Sequence, residues 1–231
     1  MAAASVRQII GPAGYRKRKP VPALILLTIL GVLAVSVWTK VFSTSADIEA
    51  AVRCPEPGAP KPGATAAPAK PGQALPLDAL DRTDPIAPND IKVTVLNGSG
   101  KRGQAGQVAE ELSSLGFNKA GEPADDPVYV NQDLNCRGQI RFGPNGASAA
   151  RTMSFLMPCA QFVRDERQDG SVDLALGQKF DGVKPSSEAK QIFEQLKIWA
   201  DQQPESGGQQ AAPAPPSLDQ GLVKAARTAY C

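Results

Sequence analysis

Apolar and polar residues alternate along one stretch, with Ile91, Val93 and Val95 set against Lys92 and Thr94. A period of two predicts a strand with one buried face. Leu96 then gives way to Asn97-Gly98-Ser99-Gly100, residues that favour turns or tolerate positive φ. Beyond Gly103 the period lengthens to about 3.6, and Ala105, Val108, Ala109, Leu112 and Leu115 fall on one helical face. Gly116 stands where a helix-ending glycine belongs, and Phe117 resumes the apolar pattern.

The same reasoning predicts a short edge strand over 117–122 and an extended piece at 128–130. It places strands at 139–142, 160–164 and 172–177, and a helix over 147–157 that Pro158 ends. The order is β-α-β-β-α-β-β, a small α+β domain over 89–183 with helices on one face of the sheet. An amphipathic helix follows over 184–201, carrying Ile192, Phe193, Leu196 and Trp199. A flexible linker is expected over 202–216, and a C-terminal tail helix over 217–231 with Ser217 as its N-cap.

Upstream, residues 20–39 carry no charge, and 21–38 are nearly all apolar. At about 1.5 Å per residue such a run can cross a hydrocarbon core of roughly 30 Å. The expected membrane-spanning helix covers 21–41, with Trp38 at an interface. The basic residues Arg16, Lys17, Arg18 and Lys19 of segment 1–20 mark the cytoplasmic side. The rival is a cleaved signal peptide ending near Thr44-Ser45-Ala46, but the apolar run exceeds the usual length of about 7–15 residues. Both readings export the remainder. Residues 42–88 read as an exported Pro/Ala-rich linker, since nine prolines lie between Pro55 and Pro88. As a polyproline II tether it could reach on the order of 100 Å.

Charge and chemistry narrow the function. The net charge of +2 hides five basic residues within the first nineteen positions; from Lys40 onward stand 20 basic and 23 acidic residues, net −3. A mildly acidic exported body lacks the footprint of a nucleic-acid binder. There is no histidine, which removes the usual triad base and the commonest zinc ligand. Four cysteines, Cys54, Cys136, Cys159 and Cys231, all follow the apolar run, and an even number in an exported chain implies two disulfides. Of three connectivities the expected one is Cys136–Cys159 with Cys54–Cys231. In it, a β-α-β connection brings the first pair to one end of the sheet, and the second pair follows by elimination. The wide spacing argues against metal or redox chemistry.

Gly98-x-Gly100-x-x-Gly103 between a strand and a helix fits a dinucleotide fingerprint, with Glu122 as the acidic residue. The domain is too short for two mononucleotide halves, and it lies outside the cytoplasm. The phosphate-loop pattern fails at Val95 and Arg102. No cofactor and no metal are expected.

Val93-x-Val95-Leu96-Asn97-Gly98-Ser99, then Gly103-x-Ala105-x-x-Val108-Ala109-x-x-Leu112-x-x-x-Gly116-Phe117, resembles the LytR C-terminal domain of bacterial cell-envelope proteins. The late stretch Val172-Asp173-Leu174-Ala175-Leu176-Gly177-Gln178-Lys179-Phe180 is similar to that family's second signature. The resemblance covers about 91–180. It implies an envelope-supporting role for a single-pass membrane protein with an extracytoplasmic C-terminal domain. The phosphotransferase domain that often precedes it in the family has no counterpart here, so that activity does not carry over. The family's label as a transcriptional attenuator fits poorly with about twenty cytoplasmic residues.

The expected function is non-catalytic binding or scaffolding of an envelope component (glycan, lipid or protein), with contact through Asn97, Ser99, Lys101 and Arg102. The equal reading of that turn is purely structural. The alternative function is an enzyme acting on envelope polymers through carboxylates such as Asp125, Asp126 or Asp133.

Overall fold

This computed structural model describes residues 21–62, 67–203 and 215–227. The basic segment before Val21, most of the 202–216 linker, and Cys231 lie outside the described residues. The chain forms two compact units, Met1–Ser45 and Ala46–Cys231.

The first unit carries most of α1, Val21–Val52. Over Ala23–Lys40 the mean hydropathy is 2.0 and none of the helix is buried in protein. By length and composition it can cross a membrane. The helix runs eleven residues past the expected end at 41 and takes in the start of the expected linker. The reason is local: 46–52 are helix-compatible, and the first proline is Pro55.

The second unit is built on a mixed sheet. Its strands are β1 (Gln73–Leu75), β2 (Lys92–Asn97), β3 (Asn118–Lys119), β4 (Ala124–Asp125), β5 (Gly138–Phe142), β6 (Gln161–Arg164) and β7 (Val172–Leu176). The order is β1-β6-β5-β7-β2-β3, with β4 also on β2. β2 pairs parallel with β7, and β5 parallel with β6, whereas β5 and β7 run antiparallel. The β5–β6 pair is joined by α3 (Ala147–Leu156), as a parallel connection requires.

The helices cover one face, here the front. Val93, Val95, Ile140, Phe142, Phe162, Leu174 and Leu176 form the sheet side of the core. Against them pack α2 (Gln104–Ser114) through Val108 and Leu112, α3 through Met153, and α4 (Ser187–Asp201) through Ile192 and Leu196. Phe142 meets Phe162 edge-on, and Phe117 meets Phe193 likewise, at 6.2 and 5.8 Å between centroids. The expected end of α2 is built as a Schellman turn. Gly116 sits at φ 92, its N–H donates to Ser113 O, and the Phe117 N–H donates to Leu112 O.

Two boundaries differ from expectation. The Pro-rich segment is no free tether near its end: β1 pairs antiparallel with β6, and Leu80 and Ala87 enter the core. A few apolar residues between prolines suffice when a sheet edge offers main-chain partners. At the other end, α5 (Gln220–Arg227) is capped by Asp219, whose Oδ1 accepts from Leu222 N at 2.8 Å, rather than by Ser217. Arg227 and Arg151 share the Asp81 carboxylate, tying α5 and α3 to the linker.

Candidate functional site

The back of the sheet is covered by irregular chain rather than helices. Alternation places Gln139, Arg141 and Ala175 there, opposite the core-facing Ile140, Phe142 and Leu174. A segment after β4 folds over them. Its entry is fixed by Asp126 N–H donating to Asn97 O (3.0 Å), and its exit by Leu134 N–H donating to Gly98 O (3.1 Å). Val128, Tyr129, Leu134 and Cys136 from this segment join Leu96, Ala175 and Cys54 in a small apolar cluster.

Burying polar residues here requires every group to find a partner. Arg141 donates two hydrogen bonds to Asp126, at 2.7 and 2.6 Å, and its Nε donates to Gln139 Oε1 at 2.9 Å. The two charged side chains are 5% and 0% exposed, so neither ion could be held without the other. Gln139 Nε2 donates to Gln161 Oε1 at 2.9 Å, and the Arg141 guanidinium lies 5.7 Å from the centre of the Tyr129 ring. The Tyr129 hydroxyl donates to Pro55 O at 2.6 Å. Burial pushes this phenol above its ordinary value, and the nearby Arg141 charge partly opposes the shift.

The outer layer is the strap that follows α1. Cys54 is disulfide-bonded to Cys136, 82 residues away. Gly58 N–H donates to Asp133 Oδ2, Asn131 Nδ2 donates to Ala59 O, and Lys61 N–H donates to Asn131 Oδ1. Between the strap, β1 and β6 lies an open groove of about 580 Å³, lined by Glu49, Val52, Arg53, Glu56, Leu75 and Gln161 among others. It adjoins a smaller cavity of about 170 Å³ over Gln139, Arg141 and Tyr129, with Cys54, Pro55, Glu56, Ala74 and Gln161 common to both. Gln161 is the floor residue that links them. Its carbonyl oxygen accepts from Gln139, and its amide nitrogen is not one of the buried polar atoms left without a partner.

The turn expected to make contact is folded largely on itself. Asn97 and Ser99 are buried. Asn97 Oδ1 accepts from Ser99 N–H, and Ser99 Oγ lies 2.9 Å from Asn97 Oδ1 and 2.7 Å from Gln104 Oε1. Ser99 Oγ also accepts from Lys101 N–H, so several of the amide donors are consumed inside the turn. Gly98 has no room for a side chain, since a Cβ would stand 2.9 Å from Leu134, and Gly100 and Gly103 hold φ of 78 and 76. Lys101 is exposed and reaches Phe180 O at 3.2 Å; Arg102 is exposed.

The three carboxylates weighed for catalysis are placed apart in role. Asp126 is locked on Arg141 and also accepts from Val128 N–H. Asp133 holds the strap, while its Oδ1 is buried without a partner. Asp125 is exposed on β4, where Gln132 Nε2 donates to it at 3.3 Å. No metal-binding group of His, Cys, Asp and Glu is present among the described residues.

The expected disulfide pairing is corrected. Cys136 bonds Cys54, so neither the Cys136–Cys159 nor the Cys54–Cys231 pair forms; Cys159 is itself disulfide-bonded. The parallel β5–β6 pairing does bring residues 136 and 159 to one end of two strands. Strand ends alone do not decide pairing, because Cys136 belongs to the back-face cluster where the strap delivers Cys54.

Sequence reasoning missed Gln139, Arg141, Gln161 and Tyr129 as site residues, and with them the groove acids Glu49 and Glu56. A usable signal existed: Gln139, Arg141 and Gln161 are polar positions on two parallel strands whose intervening residues are strongly apolar. It read as a solvent-facing pattern because nothing local announces a cover.

Residues 90–180 match the family described as LytR cell envelope-related transcriptional attenuator, LytR_C. The chain is 35% identical over 183 residues to the cell envelope integrity protein Cei of Mycobacterium tuberculosis, covering 79% of this chain and 83% of that protein. The crystal structure of the soluble domain of a conserved hypothetical secreted protein from Mycobacterium marinum superimposes with a TM-score of 0.58. The two are 33% identical, and the match covers 71% of this chain and all of that one. The chain belongs to the family of the cell envelope integrity protein Cei and carries a LytR_C domain at residues 90–180.

Proposed function

We propose that the protein is an exported, membrane-anchored envelope-integrity factor whose domain binds an envelope component without turning it over. Kinship with Cei supports the envelope role. In this reading α1 spans the membrane with the N-terminus inside, and the LytR_C domain works outside it. The observation that carries binding over catalysis is the state of the back-face polar groups. Asp126 is paired with Arg141 and shielded from solvent, and the adjoining groove brings together Glu49, Arg53, Glu56 and Gln161, a set of hydrogen-bond donors and acceptors suited to holding a ligand. The exposed cations Lys101 and Arg102 form a secondary contact at the turn, about three strand spacings from β6, or roughly 14 Å.

The test uses the full chain in lipid nanodiscs, mixed with envelope fractions, and reads both capture and polymer turnover. Capture by the native chain, with no turnover above background in it or in Asp125→Ala and Asp133→Ala, is the expected result. Turnover above background that disappears in either variant would instead establish the enzyme.

A further inference from the structure

Resting on that reading, we propose that the groove between the strap, β1 and β6 is a subsite for a neutral sugar, read by Gln161 from its floor and by Glu49, Arg53 and Glu56 from its rim. Four observations converge on this ligand class. The groove, at about 580 Å³, is large enough for one or two hexose-sized rings and opens on one side to solvent. Its rim carries both hydrogen-bonding senses. The Glu49 and Glu56 carboxylates only accept and the Arg53 guanidinium only donates, and none of the three makes an ion pair among the described residues. A sugar hydroxyl does both at once, so it can bridge such a set.

The floor supplies a fixed donor. Gln161 is only 8% exposed, and its amide orientation is set because its oxygen accepts from Gln139, which in turn is held by Arg141. With the oxygen so engaged, the nitrogen is the side of the amide free to meet a ligand, at a residue that lines both groove and cavity. The walls add apolar contact from Val52, Leu75 and the rings of Pro55 and Pro76, against which the C–H face of a sugar can lie.

The same features disfavour other ligands. Two carboxylates against one guanidinium repel a phosphate or an anionic lipid headgroup. An acyl chain would bury the rim charges without partners. An extended peptide would need a strand edge to add to, and β1 is three residues long with Pro71 and Pro76 flanking it.

Binding is measured by calorimetry and saturation-transfer NMR on the full chain in nanodiscs. The probes are neutral di- to tetrasaccharides, the same sugars bearing a phosphate, and short peptides. The expected result is binding of at least one neutral sugar, weakened at least tenfold by Gln161→Ala and severalfold by the exposed variant Glu56→Ala. A phosphate on the sugar should bring no gain at low salt. The exposed position of Glu56 keeps its variant informative even where Gln161→Ala disturbs folding. Three results would overturn the assignment: tighter, salt-sensitive binding of the phosphorylated probe, binding of peptides alone, or sugar binding indifferent to both variants. Absence of sugar binding while envelope capture persists would sink the ligand class and leave the binding function standing. Loss of envelope capture itself would sink both.

Discussion

The two faces of the sheet are buried by different means. On the front, helices α2, α3 and α4 cover a continuous apolar core, and stability there follows the area removed from water. On the back, the cover is irregular chain, the apolar cluster is small, and an ion pair, two amides and a disulfide complete it. A front of this kind tolerates small losses in proportion to volume. The back depends on complete pairing, because a single missing partner strands a buried charge. The groove lies on the side held by pairing, next to the strap whose position the disulfide sets.

The largest effects should come from truncation within each layer. Phe142→Ala opens a cavity in the front core and should cost about 3–5 kcal/mol, with unchanged sensitivity to reductant, in denaturant melts. Asp126→Ala strands Arg141 and should cost about 3–5 kcal/mol on the back face. What separates the two is rescue: Asp126→Ala with Arg141→Met should recover most of the loss, because no ion is then left unpaired. Failure of that rescue would mean that the pair fixes the back face in a way apolar packing cannot replace.

Removing the crosslink comes next. Cys54→Ser with Cys136→Ser should cost about 2–4 kcal/mol, read as a lower melting temperature. Hydrogen exchange should rise in the strap over 53–61 while the front-face strands stay protected. Uniform loss of protection would erase the distinction between the layers.

The smallest effect is tied to pH. Burial raises the Tyr129 phenol above its ordinary value of 10.0, so the folded state holds that proton more tightly than the unfolded one. Its stabilising contribution is whole below about pH 10 and is lost as pH rises through the raised value. Tyr129→Phe should remove this alkaline step and cost about 1 kcal/mol at neutral pH through the lost bond to Pro55 O. An alkaline step unchanged in the variant would assign it to another group.

The front layer was legible residue by residue. The alternation of Ile91, Val93 and Val95, the helical stripe Ala105 to Leu112 and the stop at Gly116-Phe117 all report one buried face, and a single face leaves a periodic trace. The back layer left none of that kind. Gln139 and Arg141 look like solvent-facing positions, and Pro-rich composition reads as spacer whether or not a sheet edge captures three of its residues. The candidate site was therefore sought at the glycine turn, where the pattern breaks most visibly, and the groove was overlooked because its walls come from 49–56, 74–77 and 161.

The sequence by itself determined the apolar helix, the α+β order, the helix-bearing face and the presence of paired cysteines, since each follows from local periodicity or composition. Only the tertiary structure decided which cysteines meet, which polar side chains are buried, and where a groove opens. Those outcomes depend on which segments the sheet edge and back face attract from dozens of residues away, and no local pattern encodes the partner of a buried charge or of a thiol.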